Sequence, residues 1–452
     1  MRRMYISGVV LKVVFIVIFY FMDLAMSSSG NLSNNSIKRS EQIQSISSRI
    51  KNDFSDLDDF TGLESGLSAL LRKFEIKGAS IAVARDGRLV YAKGIGYADH
   101  EMEEVVEPAH MFRVASVSKL ITAVTIMKMR EFGLLDLDDR VFGNGGILND
   151  SVYLDYIDPR VENITVRHLM NHSAGWSSRY GDHMFMTHLI SRQMDIEAPV
   201  KVPDIIKFAL RKRLHYTPGT GSSYSNLGYA ILGEIIASIS GMSYEAYVKN
   251  TILTPLGIHD MRLGKNLEAD RFENEVKYYE QHNAIRVNSI YDHDEMVYKA
   301  YGGNDIENLG AAGGWIASPA ELLKFVVAID VESGAPLILS PESIEIMSNR
   351  NLHGNKLLGW TSSDWQGNLW RTGSFAGTSA LVMRQSNGLT WTVLFNTSTY
   401  KGTSLSRDVR RIVQPALNRV EEWPEHDLFY YSETPDLPLL LPATSLSPSE
   451  IR

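Results

Sequence analysis

A serine stands three residues ahead of a lysine in Ser116-Val117-Ser118-Lys119, at the start of a long amphipathic helical pattern. If the helix begins at Ser116, three residues of advance return to the same face one turn later, which sets the Lys119 amine beside the hydroxyl. A serine hydroxyl is a weak nucleophile at neutral pH and needs a base within hydrogen-bond reach; a desolvated lysine of lowered pKa can supply one. The spacing alone does not single out this pair, because it recurs at Ser48 and Lys51 and at Ser398 and Lys401. Those pairs fall in a polar stretch and in a turn-like Asn396-Thr397-Ser398-Thr399 run, whereas Ser116 opens a helix. The competing reading of Ser116 is a plain helix N-cap, worth roughly 1 kcal/mol.

Two more stretches add chemistry. Tyr224-Ser225-Asn226, the chain's sole Tyr-x-Asn, lies between a Tyr216-Thr217-Pro218-Gly219 turn and a helix start at Leu227-Gly228-Tyr229. Trp370-Arg371-Thr372-Gly373-Ser374 precedes a hairpin expected over Ala380 to Arg384 and Leu389 to Phe395, turning at Asn387-Gly388. That order places a cation and a glycine-containing backbone on a sheet edge.

Serine and lysine, then tyrosine and asparagine, then a cation-Thr-Gly strand resembles the serine β-lactamase and penicillin-binding-protein superfamily. The tyrosine in the second motif is most similar to the class C β-lactamase and DD-peptidase/esterase branch. Asn163 to Gly175, Pro255-Leu256-Gly257-Ile258 and Gly313-Gly314-Trp315-Ile316-Ala317-Ser318 also resemble text of that family, over roughly residues 65 to 415. The resemblance implies Ser116 as the acylated nucleophile, Lys119 as the amine that takes its proton, and Tyr224 as a second proton handler. Which of Lys119 and Tyr224 is the important base stays open. Asn226 would hold Lys119 and a substrate amide, or else act as an asparagine N-cap. Arg371, Thr372, Gly373 and Ser374 would form the substrate-binding strand, with the amides of Ser116 and Ser374 directed at the oxyanion and Gly373 allowing close approach. Arg371 stands where relatives usually carry lysine or histidine. Its planar fork either grips a substrate carboxylate or is used within the protein, holding Tyr224 anionic or pairing with a nearby Asp or Glu.

Other chemistries are weaker. His168 and His172 are four apart, but no Glu follows His168, so the His-Glu-x-x-His signature is missing. Together with His183 and His188 they default to core or surface histidines rather than a metal site. The chain has no Gly-x-Ser-x-Gly elbow, and Gly219 and Gly221 lack the Lys-Ser/Thr of a phosphate loop. Cysteine is absent, which removes disulfides, thiolate metal sites and a cysteine nucleophile. The net charge is −8; the leader contributes +2 through Arg2, Arg3, Lys12 and Asp23, leaving −10 elsewhere, which gives no reason to expect nucleic-acid binding. No cofactor is implied.

The elements that must position these residues follow from periodicity and length. At 452 residues, with 44% hydrophobic residues, the chain can build two lobes around one cleft. Leu63, Leu67, Leu70, Leu71 and Phe74 recur at helical spacing, Asp86-Gly87 signals a hairpin, and Ser318-Pro319-Ala320-Glu321 is a capping box. The fold expected is α/β (α+β): an antiparallel sheet built from both chain ends and flanked by helices, with an all-helical lobe of about residues 120 to 300 inserted, as in β-lactamases and transpeptidases. Residues 1–27 read as a signal peptide or retained N-terminal anchor, since Val13 to Met22 is apolar but short for a span. Residues 28–58 read as a flexible polar linker, 59–420 as the hydrolase domain and 421–452 as an extension without an assigned task. The whole implies a periplasmic or secreted serine hydrolase acting on a small molecule or short peptide, with carboxylate-bearing substrates among those expected. The rival is a penicillin-binding-like receptor that acylates slowly or not at all.

Overall fold

The structure, a computed structural model, describes residues 50–430 apart from Asp56 and Asn355. The leader, most of the linker and the end of the extension lie outside them. Strands β1 (Gly78–Arg85), β2 (Arg88–Asp99) and β3 (Glu104–Val105) come from the N-terminal side. Short strands β4 (Phe112–Arg113), β5 (Arg262–Leu263), β6 (Val287–Asn288), β7 (Met296–Val297) and β8 (Trp315–Ala317) follow. Strands β9 (Ser362–Ser363), β10 (Leu369–Phe375), β11 (Thr378–Arg384) and β12 (Leu389–Phe395) come from the C-terminal side. The main sheet runs β3-β2-β1-β12-β11-β10-β9, and its neighbouring strands pair antiparallel. The two ends of the chain meet at its centre, where Val83 faces Trp391.

Alternation along the strands explains the layers. In β12, Leu389, Trp391, Val393 and Phe395 point to one face, against the helices Thr61–Phe74 and Leu405–Leu417. On the other face Ala82, Ala84 and Ala92 pack on Ala320, Leu323 and Val327 of the Pro319–Val327 helix. Both faces are covered, so the central strands are buried throughout. The expected Leu63 to Phe74 stripe is the buried face of the first helix. Asp86 and Gly87 both take positive φ, 49° and 77°, as a tight two-residue hairpin requires. The C-terminal hairpin turns where expected.

Between β4 and β9 helices such as Thr187–Met194, Val202–Leu210 and Asn226–Ser240 alternate with loops, and β5, β6 and β7 fall within residues 120 to 300, so the inserted lobe is not all-helical as expected. Three further expectations need correction. The linker does not run free to residue 58: the Asn52 side chain donates to the Val106 carbonyl at 2.8 Å and accepts from Gly94 N at 2.7 Å, and the Ser55 hydroxyl donates to Ala92 O at 2.7 Å. These groups satisfy the edge of β2 that short β3 leaves uncovered. The extension contributes to the same edge up to Tyr430, with Asp427 accepting from Leu89 N at 3.0 Å and Leu428 and Phe429 buried. The capping box is half formed. Ser318 caps the Glu321 amide, but the Glu321 carboxylate turns to the amides of His259 and Asp260, and burial aided by Asp260 pushes its carboxyl up to about 7. Finally, the helix carrying Lys119 is Ser118–Glu131, and it is buried on nearly every side rather than amphipathic.

Candidate active site

Ser116 sits one step before that helix, in a 3-10 turn Ala115–Val117. The tighter turn places residues i and i+3 directly over one another, so the serine-lysine spacing works even better than in an α-helix. The Ser116 hydroxyl caps no amide, since Val117 is the N-cap residue and lacks a side-chain cap. The N-cap reading therefore fails. Ala115 adopts φ 47°, a left-handed conformation that costs a non-glycine residue and that here aims the serine out of the turn.

The Ser116 Oγ lies 2.6 Å from the Tyr224 hydroxyl and accepts from Lys119 Nζ at 3.3 Å. Lys119 is fully buried and also donates to Asn226 Oδ1 at 2.6 Å and to the Ala312 carbonyl at 2.5 Å. Its ammonium sits 4.8 Å from the Tyr224 ring centroid. Tyr224 precedes the Asn226–Ser240 helix, whose N-cap is Ser225, accepting from Gly228 N at 3.0 Å. Asn226 is thus left free to face Lys119, and its N-cap reading also fails. His172, not singled out from sequence as part of this site, packs its ring 4.7 Å from that of Tyr224 and accepts from Ser225 N through Nδ1.

Electrostatics lower the pKa of both groups. Burial lowers the Lys119 pKa, the Tyr224 charge opposes this, and Arg371 reinforces the lowering. Burial works to raise the Tyr224 phenol, but the charges of Lys119 and Arg371 and the hydrogen bonds from Lys119 and Ser116 outweigh it, so the net shift is downward. The Arg371 charge favours the less protonated form of each group.

Arg371 itself is buried. Its Nε donates to the Ser116 carbonyl at 2.7 Å and its Nη2 to the Tyr224 hydroxyl at 3.5 Å. A guanidinium committed to main chain and phenol does not present a fork to solvent, so the carboxylate grip expected of Arg371 gives way to its other reading, support of Tyr224. Thr372, Gly373 and Ser374 do lie on an open edge, since β9 pairs only with Leu369 and Trp370. The Thr372 amide points outward to the Thr361 hydroxyl at 3.2 Å, and amides two apart share a side of the strand, so that of Ser374 faces the same edge. A Cβ on Gly373 would lie 2.3 Å from the Val114 carbonyl and 3.0 Å from Ser116 N, which is why this strand can lie against the serine turn. Gly373→Ala is expected to force the strand away, cutting kcat/KM for an ester at least about tenfold and lowering the thermal midpoint as well, because the obstructing atom is a backbone carbonyl; an unchanged rate would detach β10 from the site. Gly377, at φ 80°, makes the following turn.

Among the described residues no group of three or more His, Cys, Asp or Glu could hold a metal ion. Trp360 and Trp370 pack inward and Trp365 stands 91% exposed, so the tryptophan spacing builds no common platform.

Ser116, Lys119, Tyr224 and Asn226, joined by hydrogen bonds beside a glycine-containing strand, form the arrangement expected of the β-lactamase and penicillin-binding-protein superfamily. The chain belongs to the beta-lactamase family, whose model matches residues 64–414. Among curated proteins it is similar to penicillin-binding protein 4* of Bacillus subtilis (strain 168), 28% identical over 47% of this chain and 43% of that protein. The chain thus spans less than half the length of the curated relatives it matches. Among solved structures it is similar to the octameric penicillin-binding protein homologue from Pyrococcus abyssi, with 26% identity, TM-score 0.60 and coverage of 81% and 80% of the two chains. It shares the fold of D-amino acid amidase from Ochrobactrum anthropi SV3 at 20% identity, TM-score 0.63 and coverage of 81% and 100%.

Proposed function

We propose that this chain is an exported serine hydrolase that forms and hydrolyses an acyl-enzyme on Ser116, acting on a small amide, a peptide ending in a D-amino acid, an ester or a β-lactam. The observation that carries the reading is the 2.6 Å approach of the Tyr224 hydroxyl to the Ser116 hydroxyl, with Lys119 buried beneath both. In the acylation step Ser116 Oγ attacks the substrate carbonyl while its proton passes to the Tyr224 and Lys119 pair. The carbonyl oxygen takes up negative charge facing the amides of Ser116 and Ser374, where losing one donor would cost on the order of 3 kcal/mol. Collapse of the adduct breaks the bond to the leaving amine or alcohol, which takes the proton from the same pair. Water then repeats the sequence on the ester and frees Ser116. Asn226 holds Lys119 in place throughout.

Export rests on the leader: residues 1–27 act as a signal peptide or N-terminal anchor and deliver the enzyme to the periplasm or the exterior. Among the described residues no helix is long and apolar enough to cross a membrane.

Intact mass of the full chain after exposure to a fluorophosphonate, and separately to a penicillin, tests the reading. One fluorophosphonate adduct, mapped to Ser116, is expected; no adduct would overturn it. A penicillin adduct that clears within minutes marks a β-lactam hydrolase, whereas one that persists favours the slowly acylating receptor.

A further inference from the structure

Among the described residues no carboxylate lies within salt-bridge distance of buried Lys119. The acid stands one side chain further out. Asp182 Oδ2 accepts from the Asn226 side-chain nitrogen at 2.9 Å and from its backbone nitrogen at 3.2 Å, while Asp182 Oδ1 accepts from Met184 N at 3.0 Å. An amide side chain can present either oxygen or nitrogen to a neighbour, and Lys119 can only donate. With an acceptor-only carboxylate on one side and a donor-only amine on the other, a single orientation of Asn226 satisfies both. We propose that Asp182 is a positioning residue of the acyl-transfer site: it locks the Asn226 oxygen onto Lys119 and, through that amide, supplies the negative charge that balances the amine against Arg371.

This inference rests on the reading of Ser116 as the nucleophile. Its force comes from the competition around Lys119. Arg371 from β10 disfavours a proton on the amine, and Tyr224 and Asp182 favour one. Tyr229 from the Asn226–Ser240 helix presents its ring 5.6 Å from the ammonium, and the Ala312 carbonyl faces it from the Ile306–Gly313 helix. His172 and His183 also stand in this neighbourhood, and burial holds both below the ordinary imidazole range, so both are uncharged at neutral pH and above. Lys119 must take a proton from Ser116 and return it to the leaving group. Without Asp182 the amine would hold that proton less well.

The simpler alternative is that Asp182 only caps the short turn His183–Phe185. Two neutral replacements separate the roles. Asp182→Asn and Asp182→Ser both keep a side-chain acceptor suited to capping Met184, and both lose the charge. In the full chain, kcat/KM for p-nitrophenyl acetate is measured from pH 5 to 10 alongside the rate of fluorophosphonate inactivation. Removing a carboxylate that favours the ammonium lowers the pH at which Lys119 becomes a free base. The acid limb of both profiles should therefore move to lower pH by at least about half a unit, roughly a threefold change in the dissociation constant. The shift should be alike in the two variants, with a loss of severalfold or more in the plateau. An unmoved limb in either variant, even with a reduced rate, would overturn the inference and leave Asp182 as a turn cap. Absence of Ser116 labelling in the unaltered protein would instead defeat the nucleophile itself, a distinguishable result.

Discussion

Ser116→Ala is expected to abolish both fluorophosphonate labelling and ester turnover while leaving thermal stability close to that of the parent. The reasoning joins the two halves of that outcome. The hydroxyl caps no helix and bonds to the Tyr224 hydroxyl and the Lys119 amine. Removing it leaves Lys119 with the Asn226 and Ala312 oxygens, so no charge is stranded in the core. The roughly 1 kcal/mol penalty of a lost cap does not apply. Intact-mass and thermal-melt measurements on the same preparation check this; surviving labelling would move the nucleophile elsewhere.

Lys119→Ala and Tyr224→Phe should each lower kcat at least about a hundredfold, and the double variant should be hardly worse than either. In the proposed mechanism one proton moves among Ser116, Lys119 and Tyr224, so removing either acceptor would break the same transfer. The two single changes differ structurally. Tyr224→Phe keeps the ring against His172 and should melt near the parent, whereas Lys119→Ala opens space beneath Ser116 and leaves the Asn226 and Ala312 oxygens without their donor, costing stability as well as rate. A fully additive double loss, read from kcat on a neutral ester, would mean that the two residues act in separate steps.

Ser116, Lys119, Tyr224 and Asn226 were legible in the sequence because each belongs to a short local pattern, and hydrogen bonds join all four in the structure. The sheet from both chain ends was legible for a similar reason. Hairpin turns at Asp86-Gly87 and Asn387-Gly388 and two-residue alternation are nearest-neighbour properties of the chain. Asp182 and His172 gave no such signal, since an aspartate in a Gly-Asp-His loop reads as a turn residue and a histidine after a short helix reads as packing. Arg371 shows the limit most sharply. Its type promised a cation at the cleft, but residue type is silent on direction, and two opposite uses of the guanidinium fitted it equally well.

The amino-acid sequence by itself determined which side chains could exchange a proton and which backbone segments would carry them, because helix spacing, turn chemistry and strand alternation act over a few residues. Only the tertiary structure decided that the Ser116 carbonyl and Tyr224 hydroxyl, not solvent, receive Arg371, that Asp182 stands behind Asn226, and that Gly373 lies against the serine turn. Those contacts join residues 44 to 259 positions apart. They arise from how β10, the serine turn and the Tyr224 segment close on one another, and charge and proton affinity in a buried site follow from that closure rather than from local pattern.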